Sequence, residues 1–378
     1  MKFSCTRDNL HQALSITSHL TSKNVNLPVL QNVLVKAQGG AIKFTTTNLE
    51  MAIHCLVRGK VDQEGEVTIP SKLFFEFASL LPNENVQIET EEDLLHVVCG
   101  NNQTKINGLP ATEFPLVPSV ESSWSVNIPV ETFRRALSQV LFAVATNESR
   151  PELTGVSMQF QKTDKGSILT MATTDSYRLA ESTIGLDQGP TEEKKLIIPE
   201  RTLNEISRIL SIFKDSVESP SEIIMKVSDS QVVFSYGTVE LISRTIEGTY
   251  PDYTQIIPKQ FQTESILDRD DFIKSVKAAS LFSKTGLFDV SLFFDPDKKE
   301  LSVRAVDSTR GENTARCTAD VTGQENTVTV NYRYLLDGLN AMSTDKILFQ
   351  MIDAANPCLV TPQKEDSGYL YIVMPIKQ

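Results

Sequence analysis

The stretch VTIPSKLFFEFASLL (residues 67–81) reads as a short strand that ends at Pro70 and runs directly into a helix. Leu73, Phe74, Phe77, Leu80 and Leu81 recur at helical spacing within it, with Leu73, Phe77 and Leu81 along the centre of the face. This spacing predicts an apolar helix face that packs against the chain's own sheet. Taken alone, the stretch is an ordinary strand–helix junction.

The same pattern occurs twice more, as KLIIPERTLNEISRIL (195–210) and VTVNYRYLLDGLNAM (328–342). Ile69 and Ile198 are 129 residues apart, and Ile198 and Val330 are 132 apart. A period of this size is far longer than the roughly 20–50 residues of solenoid repeats. The chain is therefore expected to contain repeated domains.

Two further landmarks have the same period. Helix starts bring Leu10, Phe133 and Phe272 to spacings of 123 and 139 residues. Polar turns that follow a strand place Asn48, Asp175 and Asp307 at spacings of 127 and 132 residues. We therefore predict three copies of one α+β domain, with two helices packed on antiparallel sheet in each. The predicted boundaries are 1–121, 122–259 and 260–378, and the predicted helices are about 7–20, 71–81, 130–145, 199–213, 269–283 and 332–343.

The composition is that of an ordinary soluble protein, with 40% hydrophobic and 22% charged residues in 378. No apolar run approaches the ~18 residues of a membrane span, and the N-terminus lacks the apolar segment of a signal peptide. We therefore expect a cytoplasmic location and no membrane partner. The five cysteines are scattered without a CxxC pair, which favours reduced, buried thiols.

The charge is distributed unevenly. The net charge of −12 argues against a nucleic-acid partner when it is taken as a total. The six predicted helices, however, hold ten basic and eight acidic residues out of 36 and 48 in the chain. Two interpretations stay open at this point: solvated helix faces, or a weakly basic surface that follows a phosphate backbone without reading bases.

The sequence offers little for catalysis. All four histidines lie in the first repeat, and none stands near a third ligand or base at a motif spacing. The chain has no P-loop and no GxGxxG motif. No catalytic residue, metal site or cofactor is predicted.

Several short segments, taken in order on a threefold repeat, resemble the bacterial DNA polymerase III beta subunit, the sliding clamp family. The resemblance covers the full length of the chain. The segments are LPVLQNVLV (27–35), GLPATEFP (108–115), TTDSYRLAES (173–182), PDY (251–253), VNYRYLLDGLNAM (330–342) and VMPIK (373–377).

This resemblance implies a ring-forming fold of three tandem DNA-clamp domains and a head-to-tail homodimer that encircles duplex DNA independently of its sequence. It implies a non-catalytic processivity factor for DNA replication and repair. The expected partners are the replicative DNA polymerase, the clamp loader, repair polymerases and mismatch-repair proteins. A three-domain protein-interaction scaffold that does not encircle DNA is the alternative.

The resemblance also implies a pocket for partner peptides between the second and third domains. Apolar members would supply contact area, and Arg178 would donate hydrogen bonds to partner carbonyls or carboxylates. Met51 and Arg310 stand at the position of Arg178 in the other two copies, and the pocket is expected once per chain. Its predicted residues are Leu153, Thr174, Ser176, Tyr177, Arg178, Leu179, Pro251, Ile256, Asn331, Tyr334, Ile372, Met374, Pro375 and Ile376.

The chain departs from other family members at Ser176, Tyr177, Gln255 and Leu287, and this leaves the peptide preference open. For the dimer contact, the resemblance pairs the strand 104–107, with Ile106, against Leu281 and Phe282 of the second copy. The residues expected to face DNA, from the family and from the helix charges, are Lys23, Asn24, Lys72, Arg134, Asn147, Arg150, Arg201, Arg208, Lys274, Lys277 and Arg333.

Overall fold

The computed structural model describes residues 1–20, 27–118, 120–147, 149–164, 166–190, 192–213, 219–363 and 368–377. Lys23 and Asn24, both predicted to face DNA, lie outside the described residues.

Six α-helices lie in the described part of the chain, and each falls within a predicted helix. Two helices belong to each repeat, as the sequence indicates. Short 3-10 turns follow α1 and α3 directly, which accounts for the longer predicted ranges there. The helices are α1 (Arg7–Thr17), α2 (Ser71–Leu80), α3 (Val130–Val140), α4 (Glu200–Ile212), α5 (Arg269–Ser280) and α6 (Tyr332–Asn340).

The chain divides into two compact units. Unit 1 comprises Met1–Val130 and Glu205–Thr245, and unit 2 comprises Glu131–Asn204 and Ile246–Gln378. The central repeat therefore contributes to both units. Such a division arises because strands of neighbouring repeats pair with each other inside each unit.

Unit 1 holds two antiparallel sheets. The five-stranded sheet has the order β5-β1-β7-β8-β9, formed by β1 (Lys2–Thr6), β5 (Gly59–Gln63), β7 (Asn85–Glu91), β8 (Leu94–Cys99) and β9 (Asn102–Asn107). The eight-stranded sheet has the order β10-β15-β16-β17-β4-β3-β2-β6, formed by β2 (Asn32–Gln38), β3 (Ala41–Thr47), β4 (Met51–Val57), β6 (Gly65–Pro70), β10 (Trp124–Pro129), β15 (Glu222–Val227), β16 (Gln231–Tyr236) and β17 (Val239–Arg244).

Unit 2 holds one antiparallel sheet of twelve strands, in the order β14-β11-β12-β13-β25-β24-β23-β18-β21-β20-β19-β22. Its strands are β11 (Gly155–Thr163), β12 (Gly166–Thr174), β13 (Arg178–Leu186), β14 (Lys194–Pro199), β18 (Thr263–Asp268), β19 (Asp289–Asp295), β20 (Glu300–Asp307), β21 (Gly311–Gly323), β22 (Asn326–Asn331), β23 (Lys346–Met351), β24 (Cys358–Pro362) and β25 (Tyr369–Val373).

The packed face of α2 differs from the predicted one. Leu73 is 52% exposed and Leu80 is 84% exposed, whereas Phe74 and Ala78 are fully buried. The ring of Phe74 packs on that of Phe44 in β3, with centroids 6.3 Å apart. Helical spacing allows several rotations of the helix about its axis, and packing turned the side with Phe74 and Ala78 inward. The prediction was therefore wrong for Leu73 and Leu80.

Candidate functional site

Three polar turns of the same build follow the strands β3, β12 and β20. In the second, the carboxylate of Asp175 accepts hydrogen bonds from the backbone N–H groups of Tyr177 (2.9 Å) and Arg178 (3.0 Å). Ser176, between Asp175 and Tyr177, takes a φ of 76°. Asn48 and Asp307 accept the corresponding bonds in the first and third repeats. The turn therefore fixes the position at which Arg178 begins β13.

The guanidinium of Arg178 is held by two carboxylates. Its Nε donates to Asp175 Oδ2 at 2.9 Å, and its Nη1 donates to Asp337 Oδ2 of α6 at 2.6 Å. It also lies over the rings of Tyr334 (4.5 Å) and Phe142 (5.4 Å). The side chain is 11% exposed, so Arg178 ties the turn to α6 more than it presents a free donor.

Strand pairing brings the last strand to this turn. β13 pairs with β25 in a register that sets Leu179 opposite Ile372. Just beyond the pair, Met374 N–H donates to the Tyr177 carbonyl at 2.9 Å, and Ile376 N–H donates to the Thr329 carbonyl at 2.8 Å. The C-terminal segment with Met374, Pro375 and Ile376 is therefore fixed beside the turn, as the predicted pocket requires.

An apolar cluster of Leu179, Leu359 and Ile372 lies at the base of this region. Partly buried side chains pack around it: Tyr253, Ile256, Ile257, Phe261 and Leu370. Leu179, Ile256 and Ile372 belong to the predicted pocket. Leu359 was not predicted, because its strand carries no recognisable motif.

Some of the other predicted pocket residues are buried or hold the backbone through hydrogen bonds, and others are exposed to solvent. Leu153 is buried, and Thr174 donates from Oγ1 to the Arg178 carbonyl at 2.6 Å. Asn331 caps α6 by accepting from the Arg333 N–H at 2.9 Å. Tyr177, in contrast, is exposed. Pro251 is half-buried in the segment that leads to the 3-10 turn Tyr253–Ile256.

Glu181 adds a half-buried acid to the same strand. Tyr253 donates its hydroxyl to Glu181 Oε2 at 2.5 Å. Burial raises the pKa of Glu181 above its ordinary value, and the hydrogen bond from Tyr253 opposes this shift. Within the described part of the chain, no cation pairs with this carboxylate, which explains why burial dominates.

Asp337 was missed as a site residue, although a sequence signal was available. It stands six residues after Asn331, just as Glu76 follows Pro70 and Glu205 follows Pro199. The strand register confirms that these three anchors are equivalent, because Pro70, Pro199 and Asn331 pair with Asn32, Gly155 and Asp289 at the start of corresponding strands. An acidic residue thus occupies the same place on the second helix of every repeat.

The cations predicted to face DNA have different surroundings. Lys72, Arg201 and Lys277 are exposed, and so are the Asn147 and Arg150 side chains. Arg333 is exposed and lies 3.6 Å above the Phe288 ring. Three of the predicted cations are in ion pairs: Arg134 with Glu131, the exposed Arg150 with Glu152, and Lys274 with Asp271.

The guanidinium of Arg208 is held by an ion pair and by hydrogen bonds to backbone carbonyls. It is bonded to Glu205, and its Nη1 and Nη2 donate to the carbonyls of Ser15 (3.0 Å) and Ile16 (2.7 Å) at the end of α1. His19 Nδ1 lies 2.7 Å from the same carboxylate of Glu205. This arrangement leaves Arg208 few donors for another ligand.

The residues predicted for the dimer contact also differ in exposure. Leu281 is 69% exposed, whereas Ile106 is 4% exposed within the single chain. Phe282 is half-buried. Ile106 therefore already packs in its own domain, and Leu281 offers its side chain to solvent.

Other functional sites find no support in the described residues. No group of three potential metal ligands occurs there, and no helix there is long and apolar enough to cross a membrane. All five cysteines are buried and free of disulfides. Burial raises the pKa of Cys5 and of Cys55 to about 12, so these thiols stay protonated near neutral pH.

Comparisons with known proteins cover the whole chain. Three family models match in order: "DNA polymerase III beta subunit, N-terminal domain" at residues 1–118, "central domain" at 127–252 and "C-terminal domain" at 254–377. A beta sliding clamp of Synechocystis sp. is 30% identical over 399 residues, covering 100% of this chain and 99% of the relative. The beta sliding clamp of Bacillus subtilis is 26% identical over 388 residues, covering 100% of both chains.

A solved structure gives the same result for the fold. The crystal structure of the DNA polymerase sliding clamp from Bacillus subtilis matches with a TM-score of 0.92 at 26% identity, covering 100% of this chain and 99% of that chain. The predicted fold class, three tandem clamp domains, is thereby confirmed. The chain therefore belongs to the DNA polymerase III beta subunit family, the sliding clamps, which are non-catalytic processivity factors of DNA replication.

Proposed function

We propose that two copies of this chain join head to tail into a ring that encircles duplex DNA, slides along it and tethers the replicative polymerase. Family membership supports the processivity role. The observation that supports the ring is a strand pairing between neighbouring repeats. Among the described residues it occurs twice, and one strand edge in the first repeat and one in the third have no partner.

The repeated pairing joins the last strand of one repeat to a middle strand of the repeat before it. β17 pairs with β4 in unit 1, and β25 pairs with β13 in unit 2. In the first repeat, β9 corresponds to β17 and β25, since Leu109, Ile246 and Ile376 make the same backbone bond seven residues after the three strands begin. β9 ends its sheet, with no partner beyond it among the described residues.

The matching edge belongs to the third repeat. The first half of β21 corresponds to β4 and β13 through the polar turns that precede them. It pairs with β20 on one side, and no described strand lies on the other. An unpaired edge is a template for a strand of another chain. We infer that β9 of one copy adds to β21 of the other.

The internal pairs also give the register of this contact. Val239 lies opposite Cys55 and Tyr369 lies opposite Ser182. The equivalent positions place Asn102 opposite Thr314 and Gln103 opposite Asn313 of the second copy. Asn313 Oδ1 is buried with no hydrogen-bond partner in the described part of the chain, so this edge has unused hydrogen-bonding capacity.

Apolar side chains next to the two edges favour the same contact. Leu73 and Leu80 of α2 are exposed, and Leu73 lines a cavity together with Asn107 at the end of β9. Leu281 follows α5, and its carbonyl accepts from Arg310, which directly precedes β21. The counterpart of Leu281 in the second repeat is Phe142, which packs 5.7 Å from the Tyr371 ring of the next repeat. Leu281 and Phe282 are therefore proposed to meet the first repeat of the other copy. Ile106 takes part through its backbone, because its side chain is already buried.

The proposed DNA contact is electrostatic and independent of sequence. Lys72, Arg201 and Arg333 are equivalent and exposed, each two residues after Pro70, Pro199 or Asn331. A ring of two copies would present six such cations. Few and exposed cations suit a protein that slides, because tight phosphate contacts bring strong salt dependence. The remaining predicted contacts, Arg134, Asn147, Arg150, Arg208, Lys274 and Lys277, stay predictions.

The pocket between β13, β25 and α6 is proposed to bind short peptides of the replicative polymerase, the clamp loader and repair proteins. The apolar cluster of Leu179, Leu359 and Ile372, with Met374 beside it, offers area to an apolar peptide side chain. Tethering by one peptide raises the effective concentration of a polymerase at the primer end. We place this activity in the cytoplasm, and we retain 1–121, 122–259 and 260–378 as proposed domain boundaries.

The decisive experiment compares circular with linear DNA. The protein is assembled on nicked circular DNA with the source organism's clamp loader and ATP, and the complex is then isolated. Linearisation by a restriction enzyme should release the protein, since a ring is held by topology. Equal retention on circular and linear DNA, or a monomer at every concentration in light scattering, would favour the scaffold without DNA.

A further inference from the structure

The acidic residue on the second helix of each repeat marks a recurring contact with the repeat before it. These residues are Glu76, Glu205 and Asp337, each six residues beyond the equivalent strand end. Two of the three contacts lie within the described chain. They differ in their basic partner but share the position of the acid.

In unit 2 the contact is an ion pair between repeats. Arg178, the first residue after the Asp175 turn, donates to Asp337 Oδ2 at 2.6 Å. Its guanidinium also lies 4.5 Å from the Tyr334 ring, three residues before Asp337 on the same helix. The strand pair β13–β25 runs beside this contact and sets Arg178 opposite Val373.

In unit 1 the turn residue is Met51, which carries no charge, and other side chains hold the acid. Glu205 is bound by His19 Nδ1 at 2.7 Å, from the residue equivalent to Phe142. Arg208 bonds the same carboxylate from within α4. The acid is thus neutralised in both contacts that the chain makes with itself.

The third acid and the third turn cation have no such partner. Glu76 is exposed on α2, and none of the ion pairs of the described residues includes it. Arg310 is also exposed and forms no ion pair there; its nearest contacts are long ones, to the Leu281 carbonyl at 3.5 Å and Thr285 Oγ1 at 3.3 Å. Among the described residues, Glu76 and Arg310 thus stand without an ion-pair partner at the positions that form the contact in unit 2.

We propose that Arg310 of one copy pairs with Glu76 of a second copy, over the exposed side chain of Leu73, and that this pair selects the partner at the ring junction. The inference rests on the proposed head-to-tail dimer. Arg310 is equivalent to Arg178, Glu76 to Asp337 and Leu73 to Tyr334, so the β9–β21 register brings the two charges together as β13–β25 does in unit 2. Complementary charges at such a contact chiefly discriminate against wrong partners.

The test uses the two single charge reversals, Glu76→Arg and Arg310→Glu, each purified separately. A homodimer of either variant has two junctions with like charges. A mixed dimer has none, because the two introduced side chains, which carry opposite charges, would meet at one junction and the unchanged Glu76 and Arg310 would meet at the other. The two proteins, one carrying a mass tag, are mixed, dissociated, allowed to reassociate and counted by native mass spectrometry.

We expect mixed dimers well above the statistical share of about half, and each variant alone to dissociate about tenfold more readily than the parent. The double variant E76R/R310E should recover the parent's dissociation constant. Glu89→Arg is the matched control, because Glu89 is exposed, pairs with Lys2 and lies on β7 away from both edges. Mixed with Arg310→Glu, it should give only the statistical share.

A statistical mixture from the two reversals would overturn the ion pair, and so would a double variant no tighter than the single ones. Neither result would affect the ring, since the parent protein would still be a dimer. A parent protein that stays monomeric at every concentration would instead contradict the proposed function. Circular dichroism of each variant shows whether the exposed substitutions leave the fold intact.

Discussion

Arg178 and Arg310 occupy the same place in two copies of one turn but have opposite surroundings. Both follow an aspartate that accepts two backbone N–H groups. Arg178 is enclosed by Asp175, Asp337 and two rings, whereas Arg310 is exposed. The turn alone therefore does not determine what the arginine does; the strand and helix of the next repeat do. In unit 2 the third repeat supplies that strand and helix, whereas no described strand pairs with the first half of β21 on its side away from β20.

The largest expected difference between the two arginines is in local stability. Arg178→Ala leaves the carboxylates of Asp175 and Asp337 without their cation and removes the guanidinium from the Tyr334 ring. We expect the opening free energy of α6 and β25 to fall by about 2 to 3 kcal/mol, at the lower end for a broken buried pair because Asp337 is partly exposed. Amide hydrogen exchange measured by mass spectrometry reports this opening.

Arg310→Ala is the matched control, and both variants are measured below their dimer dissociation constants, where Arg310 is exposed. The β20–β21 hairpin should change its opening free energy by less than about 0.5 kcal/mol, as is usual for an exposed residue. If the two variants lose equal protection, the contrast between an enclosed and an open turn does not hold.

A smaller difference is expected in partner binding. Met374 and Asn107 are equivalent positions. Each stands two residues before a residue, Ile376 or Leu109, whose N–H donates to the strand that precedes the second helix of its repeat. Met374→Ala removes half-buried apolar area beside the cluster of Leu179 and Ile372. We expect about tenfold weaker binding of a peptide copied from the C-terminus of the source organism's replicative polymerase, measured by fluorescence anisotropy.

Asn107→Ala at the equivalent place in the first repeat should leave the affinity for this peptide unchanged. A loss in both variants would mean that the peptide also binds the first repeat. No loss in either would mean that the pocket does not lie beside Met374.

The smallest expected effect is a pH dependence confined to unit 2. Because burial raises the pKa of Glu181, the folded state holds this proton more tightly than the unfolded state does. The resulting stabilisation is full below the ordinary glutamate pKa and is lost as the pH rises through the folded pKa. The glutamine of the Glu181→Gln variant cannot ionise. The variant's free energy of unfolding should therefore rise relative to that of the parent as the pH is raised.

Chemical denaturation of the parent and Glu181→Gln over a series of pH values measures this gain. Tyr253→Phe removes the hydrogen bond that opposes the shift and should strengthen the pH dependence of the parent. Parallel stability curves for the parent and Glu181→Gln would show that Glu181 titrates normally.

The sequence predicted the repeats well because each landmark has a local cause. A proline at a strand end, an acidic first helix turn and an aspartate in a polar turn leave a pattern that survives divergence between copies. The rotation of α2 was not predictable in this way, since Leu73 and Phe74 both satisfy helical periodicity. Tertiary packing of Phe74 on Phe44 decided between them.

The candidate site likewise has parts that local sequence patterns predict and parts that depend on tertiary packing. Its backbone frame follows from motifs that the sequence displays, such as the turn at Asp175 and the segment with Met374. The role of Arg178 does not, because its partner Asp337 is 159 residues away. Gly338, the next residue, is a comparable case: a Cβ there would lie only 2.2 Å from the Tyr371 ring, a constraint that only the folded packing reveals.

The unpaired edges of β9 and β21 also bear on how many copies assemble. A head-to-tail contact uses different surfaces on its two sides, so it closes only when the accumulated rotation returns to the start. If the rotation between repeats departed from closure, the same pairing would continue from copy to copy and form an open filament. In the proposed ring, the geometry of the two junctions within the chain would therefore set the number of copies, because assembly would stop once every strand edge is paired.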